Sequence, residues 1–274
     1  MPQISIVIPL YNKEQFINGT IQSILRQDFD DFEIVVINDG SKDGSCQVVN
    51  SIKDDRIHLF TQENQGVSAT RNNGIKKSNG KYVFFLDADD TLSDHALSVL
   101  YKAAENNPEA DIVVAGFNYR NNDGKIVRVF KNEELGYLKD PFKSIWLKRL
   151  FFRTGNILIR KSFLSDMPLF NEQLTIFEDY DWLFHLLREA RVYSISDMVL
   201  DYNRYEGGLS TKRVKISNDY ASVIIPKECK NKYENKLNRD FLIRRFVVYF
   251  KNKDYQACRC ILQKLASSIF RSLF

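Results

Sequence analysis

The sequence predicts an α/β protein: a doubly wound, mostly parallel sheet with a helical appendage at its carboxyl end. Three observations carry this expectation. Apolar runs of strand length recur at "ISIVIPL", "FEIVVIN" and "KYVFFL"; they are continuous rather than alternating, as strands covered on both faces require. Stretches of helical period separate them, the pattern of a sheet wound by crossover helices. Each run ends in polar, turn-forming residues, namely Pro9-Leu10-Tyr11-Asn12, Asp39-Gly40-Ser41 and Asp87-Ala88-Asp89. Ligands of such sheets sit beyond the carboxyl ends of the strands, so these three loops outline one rim.

The elements follow in order. Residues 4–10 make the first strand. Asn12 is placed to cap the next helix, with Gln15 at the capping-box position and Phe16, Ile17, Ile21, Ile24 and Leu25 along one stripe. Residues 32–38 make the second strand, stopped by the turn-rich "DGSKDGS". A short helix, a strand over about 57–61 and a helix over about 67–77 come next, and "KYVFFL" closes this series. A helical pattern covers 93–106, and "DIVVAGF" at 111–117 is a further strand. "NNDGK" at 121–125 carries an Asp-Gly hairpin signal. "FEDYDWLFHLLREA" at 177–190 opens with carboxylates and continues with Leu183, Phe184, Leu186 and Leu187, a helix whose acidic start faces a pocket. "MVLDYNRYEGGLST" reads as a last strand running into a glycine loop. From about residue 218 the pattern is helical and basic.

Composition bounds the function. With 274 residues, 44% hydrophobic and 13% aromatic, the chain can bury a large core, which excludes global disorder. Cys46, Cys229, Cys258 and Cys260 lack the spacing of a zinc site or a disulfide framework and read as reduced thiols. Met1-Pro2-Gln3 leads directly into a strand, and no window reaches the roughly 18 apolar residues of a membrane span. The expectation is a cytoplasmic protein. Charge is divided: residues 212–274 hold 15 basic and 5 acidic side chains, leaving 24 and 30 of the chain's 39 and 35 to the first 211 residues. An acidic body with a basic tail points to two surfaces with different partners.

The stretch "YVFFLDADDT" asks for chemistry, because a buried strand ends by presenting Asp87, Asp89 and Asp90 together. Acids in a turn after a strand commonly cap the next helix. The same residues fit the D-x-D-x-T pattern of haloacid-dehalogenase-type phosphatases, with Asp87 as nucleophile, although three strand–helix units precede it here. Two carboxylates one residue apart can also hold a divalent cation against a diphosphate, which makes a nucleoside diphosphate a competent leaving group. No GxGxxG follows the first strand and no Walker-type loop is present, which removes the usual NAD and ATP readings. His58, His95 and His185 adjoin no nucleophile motif. A non-catalytic nucleic-acid binder could use the basic tail, but no interleaved aromatic motif accompanies it, and no nucleic-acid partner is expected.

Companion motifs decide among these. "SIVIPLYNKEQFINGTIQSILRQ", "FEIVVINDGSKDGS", "NQGVSATRNNGIKKSNGKYVFFLDADD" and "FEDYDWLFHLL" occur in the order and spacing of family 2 glycosyltransferases. The chain resembles that inverting, GT-A-fold (Rossmann-like) family closely over roughly its first 120 residues and in patches to about residue 211. The resemblance implies a bacterial enzyme of polysaccharide or glycan biosynthesis, with a GT-A domain over 1–211 and a basic helical extension over 212–274. Within the domain, 1–90 would be the nucleotide-binding half and 91–211 the acceptor half. It implies that Pro9, Tyr11 and Asn12 border the base and ribose of a nucleotide-sugar, and that Asp39 accepts from the imide N–H of uracil. Arg71 would lie beside the nucleotide, Asp87 and Ala88 beside the ribose, and Asp89 would ligate Mg2+ or Mn2+. Glu178 and Asp179 match the family's E-D pair, whose Asp is the catalytic base. Arg204 and the loop at 207–210 resemble the stretch that closes over the diphosphate, although Tyr202-Asn203-Arg204-Tyr205 stands where relatives commonly read Tyr-Arg-x-His. The implied partners are a UDP-sugar and a glycan or lipid-linked acceptor, and the basic tail adds an anionic membrane surface at the inner face of the membrane.

Overall fold

The computed structural model describes residues 1–121, 123–203, 215–224, 229 and 231–269, and the side chains among these up to residue 266. Strands β1 (Ile4–Leu10), β2 (Phe32–Asp39), β3 (Ile57–Gln62) and β4 (Tyr82–Phe85) alternate with helices α1 (Ile17–Leu25), α2 (Ser45–Ser51) and α3 (Val67–Lys77). There follow β5 (Thr91–Leu92), α4 (Ala96–Asn106), β6 (Ile112–Arg120), β7 (Ile126–Phe130), β8 (Gly136–Tyr137) and α5 (Pro141–Trp146). Then come β9 (Ile157–Arg160), α6 (Lys161–Ser165), α7 (Glu178–Glu189) and β10 (Val192–Asn203), and finally α8 (Lys232–Lys251) and α9 (Tyr255–Ile269).

One sheet runs in the order β3-β2-β1-β4-β9-β6-β10-β5, with β7 on β6 and β8 on β10. β1 pairs parallel to both β2 and β4. β9 enters antiparallel between β4 and β6 and so separates this parallel block from the parallel pair β6–β10. The continuous apolar runs are explained by the two faces they serve. Ile4, Ile6 and Ile8 pack under α1 and α4 with Ile21, Leu97 and Leu100. Val7, Val35 and Phe85 face the other way, into a cluster with Trp182 and Leu186 of α7. Neither face of β1 is wet, so nothing selects for alternation.

Two local expectations are corrected. Asn12 does not cap α1, which starts at Ile17 after Phe16 with no side-chain cap. Asn12 instead takes a left-handed backbone (φ 51°), tolerated by Asn, and its Oδ1 accepts from the Lys42 N–H at 2.8 Å. The helix expected from residue 93 begins at Ala96, because Leu92 is claimed by the sheet opposite Leu200 and the Ser93 N–H donates to the Val199 carbonyl.

The carboxyl-terminal helices pack together around Leu242, Tyr249, Ala257 and Ile261, with Tyr220 and Phe177 against them. Asn231 caps α8 by accepting from the Tyr233 and Glu234 N–H groups. Buried Glu234 ties the extension to α7 by accepting from Arg188 (Nε 3.0 Å), and within the extension buried Asp219 accepts from Arg245 (Nε 2.7 Å) and the Tyr249 hydroxyl (2.8 Å).

Candidate active site

The loops after β1, β2 and β4 meet at one rim, as expected of a parallel block. The first two are cross-bonded. The Asn12 N–H donates to Ser41 Oγ, the Lys13 N–H to Ser45 Oγ and the Gly44 N–H to Glu14 Oε2, at 2.9–3.1 Å. Tyr11 stands exposed beside them and Pro9 is half-buried. Asp39 is buried at the end of β2. Its carboxylate accepts from Gln62 Nε2 (2.8 Å) and from the N–H groups of Gln65 and Gly66 (both 2.9 Å). Three of its roughly four lone-pair sites thus hold the loop that starts α3.

The Asp-Ala-Asp-Asp turn after β4 is fixed at every residue. The Asp90 N–H donates to the Asp87 carbonyl, and Thr20 Oγ1 lies 2.9 and 2.8 Å from the carbonyls of Ala88 and Asp90. Asn203, at the end of β10, donates its backbone N–H to Asp90 Oδ1 and its side-chain amide to the Asp89 carbonyl. Ala88 is buried and packs into the core with Leu86 and Leu92.

Arg71 of α3 joins the two acidic motifs. Its guanidinium donates to Asp87 Oδ1 at 3.0 Å and to Glu178 Oε1 at 2.8 Å, and it is buried with Nε unpaired among the described residues. Burial alone would weaken its charge, but Asp87, Glu178 and Asp179 outweigh that and hold it firmly protonated. The acids pay for their neighbours. Burial, then repulsion by Asp87, pushes Asp89 up; burial with Asp87 and Asp89 pushes Asp90 well above the carboxylate range. Glu178 is raised by burial and by Asp179, with Arg71 pulling back. Asp89 is ion-paired with the Lys13 ammonium.

Glu178 and Asp179 begin α7 directly after Phe177, which is held in the left-handed region (φ 59°). A phenylalanine pays for that conformation only where its surroundings compel it. Here the ring meets Phe241 edge-on at 5.0 Å and lies 5.2 Å beneath the Arg245 guanidinium, both on α8. The turn that leads into Glu178 and Asp179 is therefore braced by α8.

The structure also brings in two residues that the motifs did not mark. Lys13 is one. The other is Arg153, whose guanidinium lies 3.7 Å from the centre of the Tyr202 ring and 5.5 Å from that of Phe117. Burial opposes its charge, while Tyr202, Asp90 and Asp179 sustain it, and the balance keeps it protonated. A lone arginine before Thr154-Gly155-Asn156 has no periodicity to betray it. Only its position beside β10 does. Arg204 and the loop at 207–210 lie outside the described residues.

Among the described residues no three His, Cys, Asp or Glu side chains stand together as a complete metal cage. The donor set nevertheless fits a hard divalent cation shared with a substrate. Asp87 and Asp89 offer carboxylate oxygens close enough to raise the Asp89 pKa, and a cation, Lys13, already sits on Asp89. Mg2+ is commonly held by one or two carboxylates, with phosphates and water completing its shell.

Comparison with known proteins bears on the family and the fold. Residues 5–167 match the model of glycosyl transferase family 2. EpsJ of Bacillus subtilis, described as an uncharacterized glycosyltransferase, is 33% identical over 72% of this chain and 59% of its own length. A GalNAc(5)-diNAcBac-PP-undecaprenol beta-1,3-glucosyltransferase of Campylobacter jejuni is 32% identical over 71% of this chain and 65% of its own. The chain spans 37–40% of two rickettsial relatives, so several relatives are considerably longer. Staphylococcus aureus TarS 1-349, solved with UDP-GlcNAc, shares the fold with a TM-score of 0.72 at 22% identity, covering 89% of this chain and 73% of its own. The matched family segment contains the Asp87–Asp90 turn, which sets aside the phosphohydrolase reading of those acids. With a family model matched over more than half its length, the chain belongs to glycosyl transferase family 2.

Proposed function

We propose that the chain is an inverting glycosyltransferase that moves a sugar from a UDP-sugar to a hydroxyl of a glycan or lipid-linked acceptor. The observation that carries this is the Arg71 bridge from Asp87 to Glu178, which links the nucleotide-side motif to the acid pair. We place Asp179, beside Glu178, across the cleft from Asp89. In this reading Pro9, Tyr11, Asn12 and Asp39 line the uridine, Asp87 and Ala88 the ribose, and Arg204 the diphosphate, so that residues 1–90 hold the donor and 91–211 the acceptor. Asp179 takes the proton of the attacking hydroxyl, which reaches the anomeric carbon from the face opposite the diphosphate and inverts it. A base of this kind contributes ~10² to 10⁴ in rate. Asp89, with Asp87 beside it, would hold Mg2+ or Mn2+, which when bound supplies the charge that makes UDP a good leaving group. The UDP-GlcNAc in the related TarS structure supports the donor class, and the undecaprenol-linked acceptor in the name of the Campylobacter relative supports the acceptor class. No helix among the described residues is long and apolar enough to cross a membrane. A lipid-linked acceptor would be met by the basic extension over 212–274 lying on the inner face of the membrane from the cytoplasmic side.

Two substitutions separate the roles. Asp89→Asn should weaken UDP binding by calorimetry in Mn2+ but not in chelator, because an amide brings no charge to the cation. Asp179→Asn should leave UDP affinity within about twofold and lower transfer by ~10² or more. An Asp179→Asn protein that releases UDP from UDP-sugars and acceptor at the wild-type rate would reduce the acid pair to a helix start.

A further inference from the structure

Arg153 has no place in the mechanism above, yet it lies inside the site. It stacks on Tyr202, and the next residue, Asn203, is hydrogen-bonded to both Asp89 and Asp90. Stacking satisfies only the face of a guanidinium. Its five N–H donors point outward in the ring plane, and among the described residues no carboxylate lies within ion-pair distance of them. The other arginines built into the interior differ on this point. Arg71 has two carboxylates and Arg245 has Asp219. Tyr202, Asp90 and Asp179 keep the guanidinium charged, but with no carboxylate seated on its edge the fork keeps donors that an anion arriving from outside can take.

The donor's charge is already provided for, by Lys13 on the Asp89 side and by the candidate metal site. Arg153 enters from the opposite half of the chain. Its ring neighbours, Phe117 of β6 and Tyr202 of β10, belong to that half, and the carboxylates that sense it are Asp90 and the proposed base Asp179. Tyr180, one residue beyond the base, senses both Arg153 and Arg244 of α8. Asp179 outweighs them there, so the two arginines partly offset the charge of the proposed base on that side.

We propose that Arg153 recognises an anionic group, phosphate or carboxylate, on the acceptor, so that the enzyme glycosylates an acidic acceptor rather than a neutral sugar. A planar fork meets either oxyanion with two parallel hydrogen bonds, which fixes the acceptor's orientation as well as its charge. Arg153 is a positioning residue in this assignment, and the proposal rests on the acceptor half lying around Asp179.

The test uses the full chain saturated with UDP and Mn2+, which blocks the donor site, and follows binding of glucose, glucose 1-phosphate and glucuronic acid by ligand-observed NMR. At least one of the two anionic sugars should bind about tenfold more tightly than glucose, and the phosphate and the carboxylate arms say which group is read. Arg153→Gln should erase the preference, and Arg153→Lys should retain part of it, since an ammonium keeps the charge and loses the fork. Thermal melting checks that each variant is folded; should Arg153→Gln not fold, Arg153→Lys carries the comparison. Equal binding of the three sugars to the wild type overturns the proposal. So does an Arg153 variant whose UDP affinity falls about tenfold while its sugar preference stays, because the anion would then be the donor's diphosphate. Failure of UDP itself to bind the wild type would strike the donor reading instead; the three sugars are then compared without nucleotide, and an Arg153-dependent preference still decides the acceptor question.

Discussion

At the scale of single residues, Arg71 shows how one side chain can organise a site. It lies on α3, yet it holds an acid from the end of β4 and another from the start of α7. Replacing it with Met would keep the bulk and leave Glu178 buried beside Asp179 with no cation. Breaking a buried ion pair from one side typically costs roughly 3–5 kcal/mol; the lower end applies here because Asp87 is about a third exposed. The sign with pH follows from Glu178, whose pKa is already raised and would rise further. A raised acid destabilises the fold only while ionised, so the deficit of Arg71→Met should be largest near neutral pH. It should shrink toward about pH 5 as Glu178 takes up a proton. Urea unfolding at the two pH values checks this, and a deficit that grows on acidification would mean Arg71 does not neutralise Glu178. The sequence marked Arg71, Asp87, Asp89, Glu178 and Asp179 because each sits in a motif with a fixed offset from a strand or helix end. It did not mark Lys13 or Arg153, whose partners are 76 and 49 residues away. Nor did it give Asn12's true bond, because an Asn before a helix looks like a cap whichever amide it reaches.

At the scale of elements, the parallel block was legible because burial on both faces writes a continuous apolar run and a crossover helix writes a period of 3.6. The observed α3 (Val67–Lys77) coincides with the span expected from that period. β9 was not legible as an antiparallel insertion. "ILIR" is too short to carry direction, and its place between β4 and β6 is decided by pairing alone. The helix–sheet contact under α3 depends on Gly74, where a Cβ would come within 2.1 Å of Val7 Cγ1. Gly74→Ala gains up to about 1 kcal/mol of helix propensity, but the overlap should outweigh it, for a net loss of ~1–3 kcal/mol. Removing the obstructing methyls should relieve the loss, so Gly74→Ala ought to cost less in a Val7→Ala background than in the wild type. A double-mutant cycle by thermal or urea unfolding reads that coupling; equal costs in the two backgrounds would show that α3 shifts to make room.

At the scale of the whole molecule, the extension has two faces of different character. Its inner face carries Leu242, Tyr249 and Ile261 and, through Phe241 and Arg245, braces the strained turn at Phe177 that precedes Glu178 and Asp179. Its outer face keeps Ile243, Val247 and Phe250 exposed on α8 at i, i+4 and i+7, with Tyr255 and Leu262 exposed on α9. The Phe250 and Tyr255 rings lie 6.4 Å apart across the hairpin turn, joining both helices into one apolar surface. Arg239, Arg244, Lys251 and Arg259 are exposed on the same two helices, and Lys253 is exposed in the turn between them. Apolar anchors among cations suit an anionic bilayer, to which each basic residue near the surface adds ~1 kcal/mol. Deleting the helices would be a poor test, since it would also release Phe177 and disturb the turn before Glu178 and Asp179. Reversing the outer face alone avoids this. The wild type should co-sediment with phosphatidylglycerol-containing vesicles at low salt, less so at high salt, and weakly with neutral vesicles. Val247→Glu with Phe250→Glu should abolish sedimentation while leaving UDP affinity in Mn2+ within about twofold. If the wild type sediments no better with anionic than with neutral vesicles at low salt, the outer face does not meet a membrane. The extension would then serve the enzyme only by holding Phe177.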